Sequence, residues 1–190
     1  MKKLLLIVLL FLISCGQIPE TRYFTIDYDY TTPGSTGGKG MLFIKKIKSD
    51  PVYFQDKLIY KSSRYEIKFD NYRRWVLSPA DMLTYKAAEH LRRKDLFERV
   101  TLVTPQQQEC LVLSGLLKNF EEFVENNKRL AKVTILFKLQ KNQDNKIIWE
   151  KEISSTVPIN DPGVEGIIRS MSQATKQVFD ELSENLSDLD

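Results

Sequence analysis

Residues 133–157 read VTILFKLQKNQDNKIIWEKEISSTV. Val133, Ile135, Phe137 and Leu139 alternate with polar or outward positions, the period of a strand with one buried face. Asn142–Asn145 is a turn by composition, and Ile147–Val157 returns, so the stretch predicts a β-hairpin. Upstream, Leu111–Leu117 reads as another strand, and Asn119–Arg129 (NFEEFVENNKR) as a strand end and loop. Downstream, Asp161-Pro162 starts a helix. Its apolar stripe runs Val164, Ile167, Ile168, Met171, Ala174, Val178, Leu182 and Leu186, which is the pattern of a helix packed on a sheet.

The first half repeats this order. Tyr23–Ile26, Met41–Ile47 and Arg99–Val103 read as strands, the second an inner one. Leu58–Lys61 and Tyr65–Phe69 form a hairpin across Ser62-Ser63, with Tyr65, Ile67 and Phe69 as the half-buried face. Ser78-Pro79-Ala80-Asp81 opens a helix, with Ser78 as N-cap, proline in the first turn and an acid at the third position. That helix runs to about Lys94, with Leu83, Ala87 and Leu91 on one face and Arg92-Arg93-Lys94 suited to the dipole at its end. Strands, helix, strands, helix predict a single α+β domain: a mainly antiparallel mixed sheet with two principal helices packed on it. The 190 residues, 42% apolar and 28% charged, leave no room for a second sizeable core and exclude a disordered or disulfide-dense chain.

The N-terminus is different in kind. Lys2 and Lys3 precede ten unbroken apolar residues, Leu4–Ile13. A membrane-spanning helix needs about 20 such residues. A short apolar run behind a cationic start reads as an export signal, residues 1–14. Two of the three net positive charges belong to these two lysines, so the remainder is close to neutral and has no global field for nucleic acid. Leu12-Ile13-Ser14-Cys15 resembles the lipobox of bacterial lipoproteins, in which the cysteine becomes the acylated N-terminus. The resemblance implies lipidation of Cys15, a tether over residues 15–22, and a folded domain over 23–190. Gly16 after the cysteine implies outer-membrane sorting by the same resemblance. Seven residues from Gly16 to Arg22 span at most about 25 Å, so the domain sits close to its membrane. Cys110, opening the apolar Cys110–Leu113, then has no partner and reads as a buried, inert thiol.

The sequence offers little for catalysis. The loop Thr31–Gly40 departs from a phosphate-binding loop: Pro33 replaces its first glycine, Gly40 its hydroxyl residue, and a strand follows where a helix is required. No cysteine–histidine spacing suits zinc, and no G-x-S-x-G elbow is present. The lone histidine, His90, reads as a surface or half-buried helical residue. Glu121-Glu122 and Asp188/Asp190 read as solvated charges. No catalytic residue, metal ligand or cofactor is expected. Between Tyr53 and Trp75, however, seven aromatics (Tyr53, Phe54, Tyr60, Tyr65, Phe69, Tyr72, Trp75) interleave with six cations. In a cytosolic chain this would suggest single-stranded nucleic acid, a partner that export removes. Half of these aromatics belong to the core by alternation. The rest, above all Tyr72-Arg73-Arg74-Trp75, are of the types enriched in protein interfaces, with Trp75 equally readable as a cap on the core.

Tyr23-Phe24-Thr25-Ile26, Ile44–Ile47, Pro51-Val52-Tyr53-Phe54, Leu58-Ile59-Tyr60, Tyr65, Tyr72–Trp75, Ser78-Pro79, Met82-Leu83 and Leu96-Phe97 together resemble the ABC-type transport auxiliary lipoproteins, which include the paraquat-inducible protein C-like lipoproteins. The match is firm over about 23–100 and looser beyond. Val76-Leu77-Ser78-Pro79 departs from the small, acidic, proline-rich turn usual there. The resemblance implies a non-enzymatic, lipid-anchored accessory protein on the periplasmic side of the envelope. Its partners would be a mammalian-cell-entry (MCE) domain protein and its ABC permease and ATPase, in lipid movement between two membranes. A ring-like homo-oligomer is also implied. Tyr53, Phe54, Tyr72, Arg73, Arg74, Trp75 and Pro79 are the expected partner interface. The rival readings are a lipoprotein that itself binds a lipid or another small apolar ligand, and a lipoprotein hydrolase.

Overall fold

The structure is a computed structural model that describes residues 19–30, 38–63, 65–105 and 109–189. The expected export signal, Cys15, most of the loop 31–40 and Arg64 lie outside the described residues. One mixed sheet holds nine strands: β1 (Arg22–Phe24), β2 (Met41–Ile44), β3 (Lys48–Ser49), β4 (Lys57–Lys61), β5 (Ile67–Trp75), β6 (Arg99–Thr101), β7 (Leu111–Glu125), β8 (Lys128–Lys141) and β9 (Ile147–Pro158). Among the described residues, two helices, α1 (Pro79–Arg93) and α2 (Val164–Ser187), complete the α+β architecture.

The long ladders are antiparallel: β7 with β8, β8 with β9, and β4 with β5. The short strands β2, β3 and β4 all join β7 in parallel, one after another along its free side. Strand β6 adds beside β2 and β1 beside β5, again in parallel. Val133, Ile135, Phe137 and Leu139 form the buried row of β8, as their alternation predicts. They meet α2, whose Phe179 ring stands 6.4 Å from that of Phe137. Leu83, Ala87 and Leu91 of α1 are fully buried beside it. At the start of α1 the Ser78 hydroxyl accepts from the Asp81 amide at 3.3 Å, an N-cap of the kind that contributes about 1 kcal/mol. Thr84 of α1 accepts from the Ile47 amide at 2.9 Å, fixing the helix against the β2–β3 line. On the opposite face Phe43, Cys110 and Val112 make a small cluster, and burial raises the Cys110 thiol pKa, in keeping with an inert core residue.

Several expectations change. Residues 119–129 are not a loop: β7 and β8 continue to a two-residue turn, closing at Glu125↔Lys128. Asn126 and Asn127 both take positive φ, 50° and 59°, the conformation that two-residue hairpin turns require and that asparagine tolerates. Glu121 and Glu122 are therefore strand residues. Glu121 is buried, and Glu122 is ion-paired to Arg129 at 2.5 Å. Tyr65 and Ile67 are exposed and Phe69 is only half-buried, so alternation along this arm does not by itself place a face in the core. The strand at 41–47 ends at Ile44 and resumes at Lys48. His90 is not a surface residue but is 1% exposed.

Replacing Asn126 and Asn127 by alanine should cost about 1–2 kcal/mol per residue held at positive φ, whereas glycine at Asn127 should be tolerated. Urea unfolding monitored by circular dichroism reads the difference.

Candidate functional site

The segment 41–61 runs beside β7 as one interrupted strand. Partners differ by 68 positions at Ser49↔Leu117 but by 62 at Tyr60↔Glu122, so six residues must leave the line between them. The Asp50 amide still bonds the Leu117 carbonyl at 3.2 Å. The chain then lifts off in a 3₁₀ turn, Pro51–Tyr53, and returns at Lys57. This excursion separates two neighbouring aromatics. Tyr53 is 1% exposed, whereas Phe54 is 66% exposed.

Tyr53 is locked from below. Its hydroxyl donates to Glu121, whose carboxylate also meets Lys61 at 2.7 Å and the Asn119 amide at 3.2 Å. Burial, reinforced by Glu121, pushes the Tyr53 hydroxyl pKa well above its ordinary value, so it stays a donor. The return limb is held by the end of β5. The Trp75 amide donates to the Asp56 carbonyl at 2.6 Å, and Arg74 pairs with the Asp56 carboxylate at 2.9 Å. Trp75 is 2% exposed, its ring 5.1 Å from that of Phe120. The Val76 amide donates to the Phe24 carbonyl at 2.9 Å, and Val76 and Leu77 then turn the corner into α1 with their side chains exposed. Between Phe54, Lys46, Lys48 and the first turn of α1 lies an open groove of about 550 Å³, with Lys46 and Asp81 paired at 2.6 Å in its wall.

The expected interface residues thus divide. Phe54 and Tyr72 are exposed. Arg73 and Arg74 are half-exposed but engaged, Arg73 with Asp70 at 2.5 Å through both its Nε and Nη2. Tyr53, Trp75 and Pro79 are buried and cannot offer a surface in this fold. For Trp75 the core reading is the one the structure supports. Sequence reading missed Val76 and Leu77 as surface residues. Their signal was a pair of adjacent apolar residues between the strand's last tryptophan and a helix cap, where neither period places a buried side chain.

A second polar cluster lies between the helices. His90 Nδ1 meets the Tyr28 hydroxyl at 3.2 Å, and Nε2 faces Asp180 at 3.4 Å. Burial lowers the imidazole pKa to about 4, against the attraction of Asp180. Burial alone would raise Asp180, but hydrogen bonds from Lys176 and Lys94 outweigh it and hold the carboxyl below its usual range. A closed, neutral imidazole of this kind has no opening to a substrate. Among the described residues, no three His, Cys, Asp or Glu side chains are grouped to hold a metal, and no helix is long and apolar enough to cross a membrane.

The model of the ABC-type transport auxiliary lipoprotein component family matches residues 29–183, from the segment before β2 to the last turns of α2. The chain belongs to this family of envelope lipoproteins that serve ABC transport systems. Its fold is similar to that of the Xanthomonas campestris protein XCC0632, of family DUF330. The TM-score is 0.75 at 14% identity, over 85% of this chain and 92% of that one. It is also similar to the hypothetical protein CT253 of Chlamydia trachomatis, with a TM-score of 0.54 at 9% identity, over 80% of this chain and 98% of that one. No curated protein matches the sequence. The likeness to solved structures concerns the fold alone.

Trp75→Ala should lower stability by about 3–5 kcal/mol, as for other large buried aromatics, while Phe54→Ala should stay within about 0.5 kcal/mol. Urea midpoints of the two variants test the division between core and surface. His90 makes a second prediction. Below pH 6.5 an unfolded chain takes up a proton that the fold refuses until about pH 4. The His90 contribution to stability should therefore fall through that window by up to about 1.4 kcal/mol per pH unit and level off below it. His90→Gln should flatten that slope in urea titrations run from pH 7 to 4.

Proposed function

We propose that this chain is a non-enzymatic accessory lipoprotein, anchored through acyl chains on Cys15, that docks the periplasmic part of an MCE-type ABC transporter at the outer membrane during lipid transport between the two membranes. Residues 1–14 act as its export signal and 15–22 as the tether. The docking surface is the Phe54 excursion with Val76 and Leu77 at the adjoining corner, and Tyr72, Arg73 and Arg74 on the strand behind them. The observation that carries this reading is the contrast within the excursion. Tyr53 is buried while the adjacent Phe54 stays exposed beside an open groove, and Val76 and Leu77 are exposed at the neighbouring corner. Exposed apolar side chains on a rigid, hydrogen-bonded support have the character of interface anchors. Membership of the ABC auxiliary family supports a transport system as the partner.

The test is crosslinking in cells between this chain and an MCE-domain protein encoded with it. Phe54→Asp combined with Leu77→Asp should abolish the crosslink while leaving the unfolding midpoint within about 1 kcal/mol of the parent. Retained crosslinking would remove this surface from the interface. Cys15→Ser should release the protein from membranes, because stable anchoring requires the acyl chains. Membrane retention of that variant would point to another attachment.

A further inference from the structure

About 20 Å along β7 from the docking surface, at the strand's other end, a second groove opens between the β8–β9 turn and the last turn of α2. Its volume is about 720 Å³, within the range of small-molecule sites. The floor is apolar. Leu139 and Leu186 are buried at its base and Leu189 is partly buried. Ile147 and Ile148 line it while remaining 49% and 39% exposed.

Two adjacent strand residues ordinarily point to opposite faces. Here the register shifts: Leu139 pairs with Trp149 and Gln140 with Ile147, leaving Ile148 as an extra residue. Such a bulge re-aims a side chain, and this one lets both isoleucines line the same groove.

Among the described residues the rim has one sign of charge: Lys39, Lys141 and Lys146 line it and no acid does. Lys39 is committed to the fold, its ammonium donating to the carbonyls of Leu186, at 3.3 Å, and Ser187, at 2.8 Å, and to that of Leu189. That contact also masks the negative end of the helix dipole, which would otherwise repel an anion. Lys141 and Lys146 form no ion pair among the described residues. Cations at the mouth of an apolar trough complement a ligand with one aliphatic chain and one anionic head.

The geometry points to a binding site for a single-chain anionic amphiphile, with the chain laid on Ile147, Ile148 and Leu139 and the head met by Lys141 and Lys146. The site shares no residue with the docking surface and does not depend on the docking reading.

The test uses the full chain in nanodiscs and three diazirine-bearing probes: a long-chain fatty acid, a lysophosphatidate and an uncharged monoacylglycerol. The two anions share the required chemistry, and whichever labels better identifies the head group as carboxylate or phosphate. Peptides covering 139–148 and 186–189 should be labelled saturably by one or both anions and about tenfold less by the neutral probe. Lys141→Gln with Lys146→Gln should reduce labelling by a similar factor, and Ile148→Asp should remove it, with far-UV circular dichroism unchanged. Should a variant fail to fold, the comparison of charged with neutral probes on the parent chain decides alone. Labelling outside these peptides, equal labelling by the neutral probe, or indifference to the glutamine substitutions would overturn the site. Phe54→Asp should leave labelling intact, so failure of the docking surface and failure of the groove read out separately.

Discussion

Strand β7 must satisfy two neighbours at once. On one side β8 pairs with it from Leu111 to Glu125, broken only by a shift between Leu117 and Asn119. On the other, β2, β3 and β4 must hold parallel register against the same strand, with six residues too many between β3 and β4. A parallel ladder cannot absorb a surplus of that size, so the extra chain leaves the sheet between Asp50 and Lys57. Pro51 favours the exit, since it has no amide to lose from the ladder and its fixed φ suits the first position of a helical turn. The departure is then pinned at both ends, by Asp50 on Leu117 and by Asp56 on Trp75.

The buried Glu121 carboxylate of β7 is the matching constraint on the excursion. Desolvating a carboxylate costs several kcal/mol unless donors replace the lost water. Tyr53, Lys61 and Asn119 supply three donors. Loss of any one of them would leave an under-compensated buried charge, so Glu121 discriminates against alternative placements of the excursion. Aromatic packing of Trp75 on Phe120 then fixes the neighbouring corner. The support beneath Phe54, Val76 and Leu77 is thus formed by the core itself.

This explains what could be read from the residues in advance. The rows Val133–Leu139 and Leu83–Leu91 announced themselves because their burial follows a local period, and Ser78-Pro79 because a helix cap is local chemistry. Both helices and the β4–β5 and β8–β9 pairings followed from such signals. The segment NFEEFVENNKR did not yield, because the burial of Glu121 depends on partners distant in sequence: it meets Lys61, sixty residues away. Without that knowledge two adjacent acids look solvated. Tyr65 and Ile67 alternate correctly, but whether a helix covers their face is a tertiary fact. Tyr53 and Phe54 mark the limit most sharply. Composition identified the aromatic stretch, yet a 3₁₀ turn sends one ring into the core and its neighbour into solvent, and nothing local distinguishes them.

The N-terminal segment bears on how the proposed docking would work. Strand β1 lies in register with the end of β5, Phe24 opposite Trp75, and the Phe24 carbonyl holds the first residue of the exposed corner. The following residues are clamped to α1: Lys86 bridges Asp27 and Glu89 at 3.2 Å each, beneath the rings of Tyr28 and Tyr30, and Tyr28 meets the buried His90. The N-terminal strand therefore joins the fold at the corner that carries Val76 and Leu77. Under the docking proposal, the membrane anchor and the partner would bear on one pair of strands. Their separation would then be set by the length of the tether and not by bending of the domain. Under the same proposal, a short tether and a hydrogen-bonded corner would together confine the partner to a narrow zone above the membrane.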